Sequence, residues 1–336
     1  MAAMLIIPIF IPHRGCPHDC LFCNQQKISG RARNNPARVA VAGTIDEWLA
    51  RKGRRSQVQV AFFGGSFTCL PVGEQLALLS AVQPYIRDKK VESIRLSTRP
   101  DCIDAAVCAR LLEYKVGVVE LGAQSFNDRV LQTSLRGHNA EQVRKSFALL
   151  KKTSMQVGLQ LMPGLPGETS GSFLRGIDEV IGLKPDFVRL YPAIVVKDSG
   201  LERLYQAHRY RPLSLGQAVA LTARCFQKLT GAGIKVVRMG LQPSVSLAES
   251  VIAGPYHPAF GELVQSRLWL KKIRARLATV QPPQKLFIHV SPRDVSAVVG
   301  MKKQNIKRLA ELGFSGLFTI VPNEEMVRGS IEYVVG

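Results

Sequence analysis

The sequence predicts an α/β chain: a parallel-sheet barrel of repeated βα units with a smaller α/β appendage after it. Three observations carry this reading. Short apolar, strand-like runs alternate with helical stretches as far as about residue 240. Glycine-rich and polar clusters fall just after the strands, where barrels of this kind carry their chemistry. The alternation then breaks, and the last third of the chain reads differently.

Taken in order, residues 5–11, 58–63, 93–97, 118–121, 156–161, 187–191 and 234–238 read as strands. Residues 44–51, 73–83, 103–113, 140–151, 170–182 and 214–230 read as the helices between them. The second strand runs into Gly64-Gly65-Ser66-Phe67, where absent side chains let backbone approach a ligand. Ser97-Thr98-Arg99-Pro100-Asp101 ends the third strand, and Gly122-Ala123-Gln124-Ser125 ends the fourth. The fifth ends in Gln160-Leu161-Met162-Pro163-Gly164-Leu165-Pro166-Gly167. One such cluster marks an ordinary turn, whereas four at successive strand ends point to a site.

Residues 240–261, with Pro243, Pro255 and Pro258, read as a long loop that places Tyr256 and His257 near a barrel mouth. Tyr191, after the sixth strand, is a third candidate substrate contact. A helix over 262–278 carries Lys271, Lys272, Arg274 and Arg276, candidate nucleic-acid contacts, around an apolar line of Leu263, Leu270, Ile273 and Leu277, whose spacing indicates packing. After a linker at 280–283, strands at 285–290 and 317–321 flank a helix near 296–312. The division expected is therefore a barrel at 1–240, a loop and basic helix packing on it at 241–281, and a small α/β domain at 282–336.

Apolar residues make up 46% of the 336, which indicates a globular chain, and no run of about 18 apolar residues offers a membrane span. The N-terminal stretch lacks the basic n-region of a secretory signal, so a reducing cytoplasm is the expected location. Lys and Arg outnumber Asp and Glu by 45 to 25, giving +20. Such an excess steers polyanions, RNA first among them, although a solvated basic surface gives the same count.

Cys16-Pro17-His18-Asp19-Cys20-Leu21-Phe22-Cys23 is the most specific feature. Thiolates are the usual iron–sulfur ligands, and three in so short a loop hold three irons of a four-iron cluster, leaving the fourth open. Zinc is the main rival, but it normally closes with four ligands, and no second pair faces His13 and His18. Disulfides are not expected from seven cysteines without a secretory signal. Cys69, just past the glycine pair, is either a substrate-facing thiol or a buried structural one, and Cys102, Cys108 and Cys225 read as structural. Glu168 reads as a cap for the following helix.

With these motifs, residues 5 to about 240 resemble a radical S-adenosylmethionine (SAM) enzyme. Val119-Glu120-Leu121-Gly122-Ala123-Gln124-Ser125, Arg136-Gly137-His138 and the 162–167 loop most resemble the catalytic subunit of elongator; oxygen-independent coproporphyrinogen oxidase is a more distant likeness. The resemblance implies a partial (β/α)6-type, TIM-like barrel. It implies that Cys16, Cys20 and Cys23 bind a [4Fe-4S] cluster whose open iron is chelated by SAM, and that one electron from a flavodoxin- or ferredoxin-type donor yields a 5′-deoxyadenosyl radical. Gly64 and Gly65, with Ser66, match the motif whose carbonyls accept from the methionine ammonium. Phe10 and Phe22 fall where aromatic residues flank the cofactor, Gln124 and Gln160 match ribose-facing positions, and Arg136 matches a partner of the methionine carboxylate. Ser97 stands where relatives usually carry Glu.

Gly300-Met301-Lys302-Lys303 resembles the GxxG loop of a KH-type RNA-binding module, with Lys303 in place of the second glycine; Lys302 and Lys303 there offer phosphate contacts. The leading expectation is a radical enzyme modifying an RNA base, in transfer RNA. The alternatives are a radical enzyme acting on a small anionic metabolite such as a tetrapyrrole, and a non-catalytic iron–sulfur or RNA-binding protein. No counterpart of the elongator acetyltransferase domain follows the barrel, so its acetyl-coenzyme A chemistry is not expected here.

Overall fold

A computed structural model describes residues 4–11, 15–24, 41–51, 53, 55, 57–281 and 283–336; His13 lies outside them. In chain order the first strands are β1 (Leu5–Phe10), β2 (Val58–Phe63), β3 (Ser93–Thr98), β4 (Val116–Gln124), β5 (Gln156–Leu161), β6 (Phe187–Leu190), β7 (Val195–Val196), β8 (Lys235–Met239) and β9 (Val251–Ala253). Seven of them form one sheet in the order β1-β2-β3-β4-β5-β6-β8, parallel throughout, and this is the partial barrel predicted. Strands of such a sheet are covered on both faces and are apolar for that reason. β2 reads Val-Gln-Val-Ala-Phe-Phe and is buried as far as Phe62.

Helices return each strand to the next. Three begin with reciprocal capping boxes, at Asn139 with Gln142, Thr169 with Ser172 and Ser214 with Gln217, each satisfying two otherwise unpaired N–H groups. Their apolar faces cover the sheet through residues such as Val143, Phe147, Phe173 and Ile177.

Two compact units divide the chain, one of residues 1–218 and 225–256, the other of 219–224 and 257–336. Residues 240–261 are more ordered than the prolines suggested. Ser244 accepts from the Leu247 amide to start the helix Val245–Ser250, Leu247 is buried, and β9 then pairs antiparallel with β7. β4 also runs beyond the four residues expected. It continues to Gln124 because its register against β5 shifts between Leu121 and Gln124, a bulge that re-aims the strand end.

In the second unit, helix Phe260–Leu277 packs Trp269, Ile273 and Leu277 against Leu286, Ile288 and Val290. Those last three belong to β10 (Leu286–Val290), which pairs parallel with β11 (Phe318–Pro322) and antiparallel with β12 (Ile331–Val335). β12 was not foreseen, because its Glu332 and exposed valines give little strand contrast. The single helix expected at 296–312 is broken into Val295–Val299 and Gln304–Leu309. Gly300 and, after it, Lys302 and Lys303 take positive φ, so the sharp turn forms without the second glycine. Buried Asn305 fixes it by donating to the Val298 and Ser266 carbonyls, both at 3.0 Å.

Candidate active site

One cavity of about 640 Å³ opens at the carboxyl ends of the barrel strands. Cys16, Cys20 and Cys23 all line it, with Phe10 from the end of β1 and Phe22 from the cysteine loop. Gly64, Gly65 and Ser66 follow β2, Ser97 is the penultimate residue of β3, Gln124 ends β4 and Gln160 belongs to β5; each of these lines the same cavity, as do Arg136 and Tyr191. The motifs scattered over 180 residues of sequence thus converge on one space.

Local chemistry explains how each is held. Gln124 sits at φ +68°, a conformation a non-glycine residue keeps only when its surroundings impose it. Its side-chain oxygen accepts from the Gln160 amide at 3.3 Å, and its carbonyl accepts from the Met162 amide at 2.8 Å. The buried Ser66 hydroxyl lies 3.1 Å from the Thr98 hydroxyl and accepts from the Arg99 amide at 3.1 Å, which ties the loop after β2 to the end of β3. Gly15, at φ +73°, lets the cysteine loop rest on this same segment, since a Cβ there would overlap the Ser66 carbonyl oxygen.

Cys20 is the buried member of the three cysteines. Arg136 Nη1 donates to its sulfur at 3.5 Å, and Arg136 Nη2 donates to the Gly122 carbonyl at 2.7 Å. Arg99 Nη1 lies 3.9 Å from the same sulfur, and its Nη2 donates to the Arg136 carbonyl at 2.5 Å. Asp101 pairs with Arg99 Nε at 2.9 Å. Burial, with Arg136 and Arg99 beside it, pushes the His138 imidazole down to about 3, so it is neutral and donates from Nε2 to the Ala123 carbonyl at 3.2 Å.

Deeper in the barrel, Glu120 carries two guanidiniums. Arg189 Nε is 2.7 Å from one carboxylate oxygen, and Arg95 Nη1 is 3.5 Å from the other. Arg189 Nη1 also donates to the Tyr191 hydroxyl at 2.9 Å. Arg189 and Arg238 are register partners on β6 and β8, and both line the cavity. The sequence marks Arg99 and Glu120 only as members of longer motifs, and Arg189 and Arg238 not at all. For the last two the available signal is a charged residue inside a parallel strand, because such residues are rarely buried without a partner.

Four expectations are corrected. Cys69 is disulfide-bonded to Cys102 and is therefore no free thiol for substrate. The pairing joins the loop after β2 to the loop after β3, whose proximity in space the spacing of the cysteines does not disclose. Tyr256 packs against Ile194, Val196 and Leu247 instead of lining the cavity. His257 is absent from the cavity wall as well; its Nδ1 accepts from the Ala259 amide ahead of helix Phe260–Leu277. Glu168 does not cap the next helix, a role filled by Thr169; it accepts from the Ser125 hydroxyl at 2.8 Å and the Gly164 amide at 3.0 Å, tying two strand-end loops together. Burial pushes its carboxyl up to about 7.

In the second unit, Lys272 and Arg276 lie over the rings of Trp269 and Tyr333, at 5.2 and 5.9 Å from the centroids. Lys271, Arg274, Lys302 and Lys303 are exposed.

Residues 10–179 match the Radical SAM superfamily and residues 185–269 the Radical_SAM C-terminal domain. The chain belongs to the radical SAM superfamily. Among its relatives, the tRNA uridine(34) acetyltransferase of Methanocaldococcus jannaschii is 24% identical over 263 residues, 66% of this chain and 48% of that protein. Mus musculus Elongator complex protein 3 is 31% identical over 262 residues, 63% and 47% respectively. The chain therefore spans about half the length of these curated relatives. The solved archaeal Methanocaldococcus infernus Elp3 superposes with a TM-score of 0.63 at 18% identity, covering 82% of this chain and 64% of the other. Coproporphyrinogen III oxidase (HemN) from Escherichia coli gives 0.50 at 19%, covering 80% and 59%. At these identities the solved structures establish the fold alone.

Membership of this enzyme superfamily implies SAM and a [4Fe-4S] cluster, and the residues present fit both. Three cysteines outside any disulfide line one cavity beside exposed glycine backbone and two amide side chains. Among the described residues no three His, Cys, Asp or Glu converge as ligands of a single metal ion. Arg136 Nε is buried with no partner and adds an unused donor at this wall. No helix among the described residues is long and apolar enough to cross a membrane.

Proposed function

We propose that this radical SAM enzyme modifies a base of RNA, with transfer RNA as its substrate. The observation that carries the reading is the convergence of Cys16, Cys20 and Cys23 with Gly64, Gly65, Gln124, Gln160 and Arg136 on one cavity. The cluster and SAM, bound there, supply one-electron cleavage of a sulfonium and a hydrogen-abstracting radical. The chain's own residues bind and orient. Cys16, Cys20 and Cys23 would hold the irons, the carbonyls of Gly64 and Gly65 would accept from the methionine ammonium, and Gln124 and Gln160 would meet the ribose hydroxyls. Phe10, Phe22 and Phe63 make the wall apolar and exclude water. A flavodoxin- or ferredoxin-type protein delivers the electron.

RNA is supported by the +20 charge and by relatives named as tRNA uridine(34) acetyltransferase. The exposed Lys302 and Lys303 on a fixed turn support it further, as residues placed to meet phosphates. A second reading, a small anionic metabolite, is favoured by Arg189 and Arg238, register partners that both line the cavity, Arg189 pairing with Glu120 and Arg238 with Gln242. The test is SAM cleavage by the reconstituted protein with bulk transfer RNA across a salt series. RNA recognition predicts stimulated 5′-deoxyadenosine formation and affinity that falls steeply with ionic strength; absence of stimulation with a shallow salt slope refutes it.

A further inference from the structure

Two buried guanidiniums address one cysteine sulfur, and only one of them has a role by family resemblance. Arg136 and Arg99 both direct Nη1 at Cys20, at 3.5 and 3.9 Å, while Cys16 donates its own thiol to the His18 carbonyl at 3.3 Å. Arg99 is 2% exposed and Cys20 4%. Asp101 holds Arg99 through Nε and Nη2, and its second neighbours are His18, at 3.7 Å, and His138, which is neutral. Asp101 is the carboxylate given to this pair of guanidiniums, and the Cys20 sulfur is the acceptor that both of them face.

N–H donors on a ligating sulfur draw electron density from the cluster and favour its reduced state, one of the levers that set iron–sulfur potentials. Arg99 contributes twice, by facing the sulfur itself and by holding the Arg136 carbonyl at 2.5 Å, which fixes where Arg136 stands. We propose that Arg99 is a positioning residue that raises the reduction potential of the cluster through the Cys20 sulfur. This rests on the cluster reading above. It explains why a residue just after β3, to which the family resemblance assigns no role, is locked by both a carboxylate and a backbone carbonyl.

The test is an electron paramagnetic resonance redox titration of the reconstituted full chain, with iron and sulfide content measured on the same samples. The variants are Arg99→Lys, which keeps the charge and loses the fork, and the double variant Arg99→Gln/Asp101→Asn, which removes the ion pair without leaving a lone carboxylate. The expected result is full iron loading with a midpoint shifted negative, further in the double variant than in R99K. A fully loaded double variant titrating at the wild-type potential overturns the proposal. If the double variant does not fold, judged by circular dichroism, R99K decides alone: a negative shift supports the proposal and an unchanged potential overturns it. A wild-type protein that takes up no iron refutes the cluster reading instead, so the two failures are distinguishable.

Discussion

Replacing Glu120 by Gln removes the carboxylate that Arg95 and Arg189 share. Its side chain is 5% exposed, and those of its partners are 12% and 15% exposed, so water cannot take over as counter-charge. The structure gives the carboxylate three close guanidinium contacts, at 2.7 and 3.1 Å from Arg189 and 3.5 Å from Arg95. Breaking one buried pair by removing a partner costs about 3 to 5 kcal/mol, because the surviving charge is stranded. E120Q strands two, although Arg189 keeps the Tyr191 hydroxyl and Arg95 keeps the Phe187 ring at 5.5 Å, so the upper part of that range is the expectation. At about 2 to 4 °C per kcal/mol for a unit of this size, the melting temperature falls by roughly 10 °C or more. The assay is thermal unfolding of E120Q, R189Q and the double variant. The double variant should recover about 1 to 3 kcal/mol relative to the sum of the single changes. Strict additivity, or an E120Q melting point within about 2 °C of wild type, would refute the claim that this triad is a closed electrostatic unit.

Gly15→Ala forces a side chain at φ +73° into the Ser66 carbonyl. The expected outcome is a displaced cysteine loop and loss of most iron on reconstitution while circular dichroism stays near wild type; normal iron content counts against the packing described. Glu168 gives a pH signature. Its folded carboxyl is raised to about 7 by burial against an ordinary value of 4.5, so it contributes stability that is complete below about pH 4.5 and lost as pH rises through about 7. The span corresponds to roughly 3 kcal/mol, and E168Q should flatten that part of the stability curve. The Cys69–Cys102 bond closes a 33-residue separation, for which chain entropy predicts about 4 kcal/mol. Reductant should lower the melting point of wild type and leave C69S/C102S unmoved.

The barrel was legible because its strands read as short, largely apolar runs at regular intervals, most of them followed by a cluster that could not continue a strand. The cysteine loop and glycine pair were legible because their chemistry depends on residues adjacent in sequence. What the sequence concealed depends on contacts across the sheet. Arg189 and Arg238 meet only because β6 and β8 are neighbours, and Cys69 meets Cys102 only because the loops after β2 and β3 converge. Tyr256 and His257 were misplaced for a related reason. The prolines around them suggested an open loop, but pairing of β9 with β7 draws Tyr256 into an apolar cluster with Ile194 and Leu247. In the second unit, Lys303 breaks the glycine pattern yet adopts its backbone, because Asn305 fixes the turn from behind.

The most direct test of the account is anaerobic reconstitution with iron and sulfide, followed by dithionite, SAM and chromatography for 5′-deoxyadenosine, for wild type and Cys20→Ser, with and without bulk transfer RNA. The account predicts product from wild type, stimulated by transfer RNA, and none from C20S. A wild-type protein loaded with four irons that forms no 5′-deoxyadenosine under either condition would contradict it.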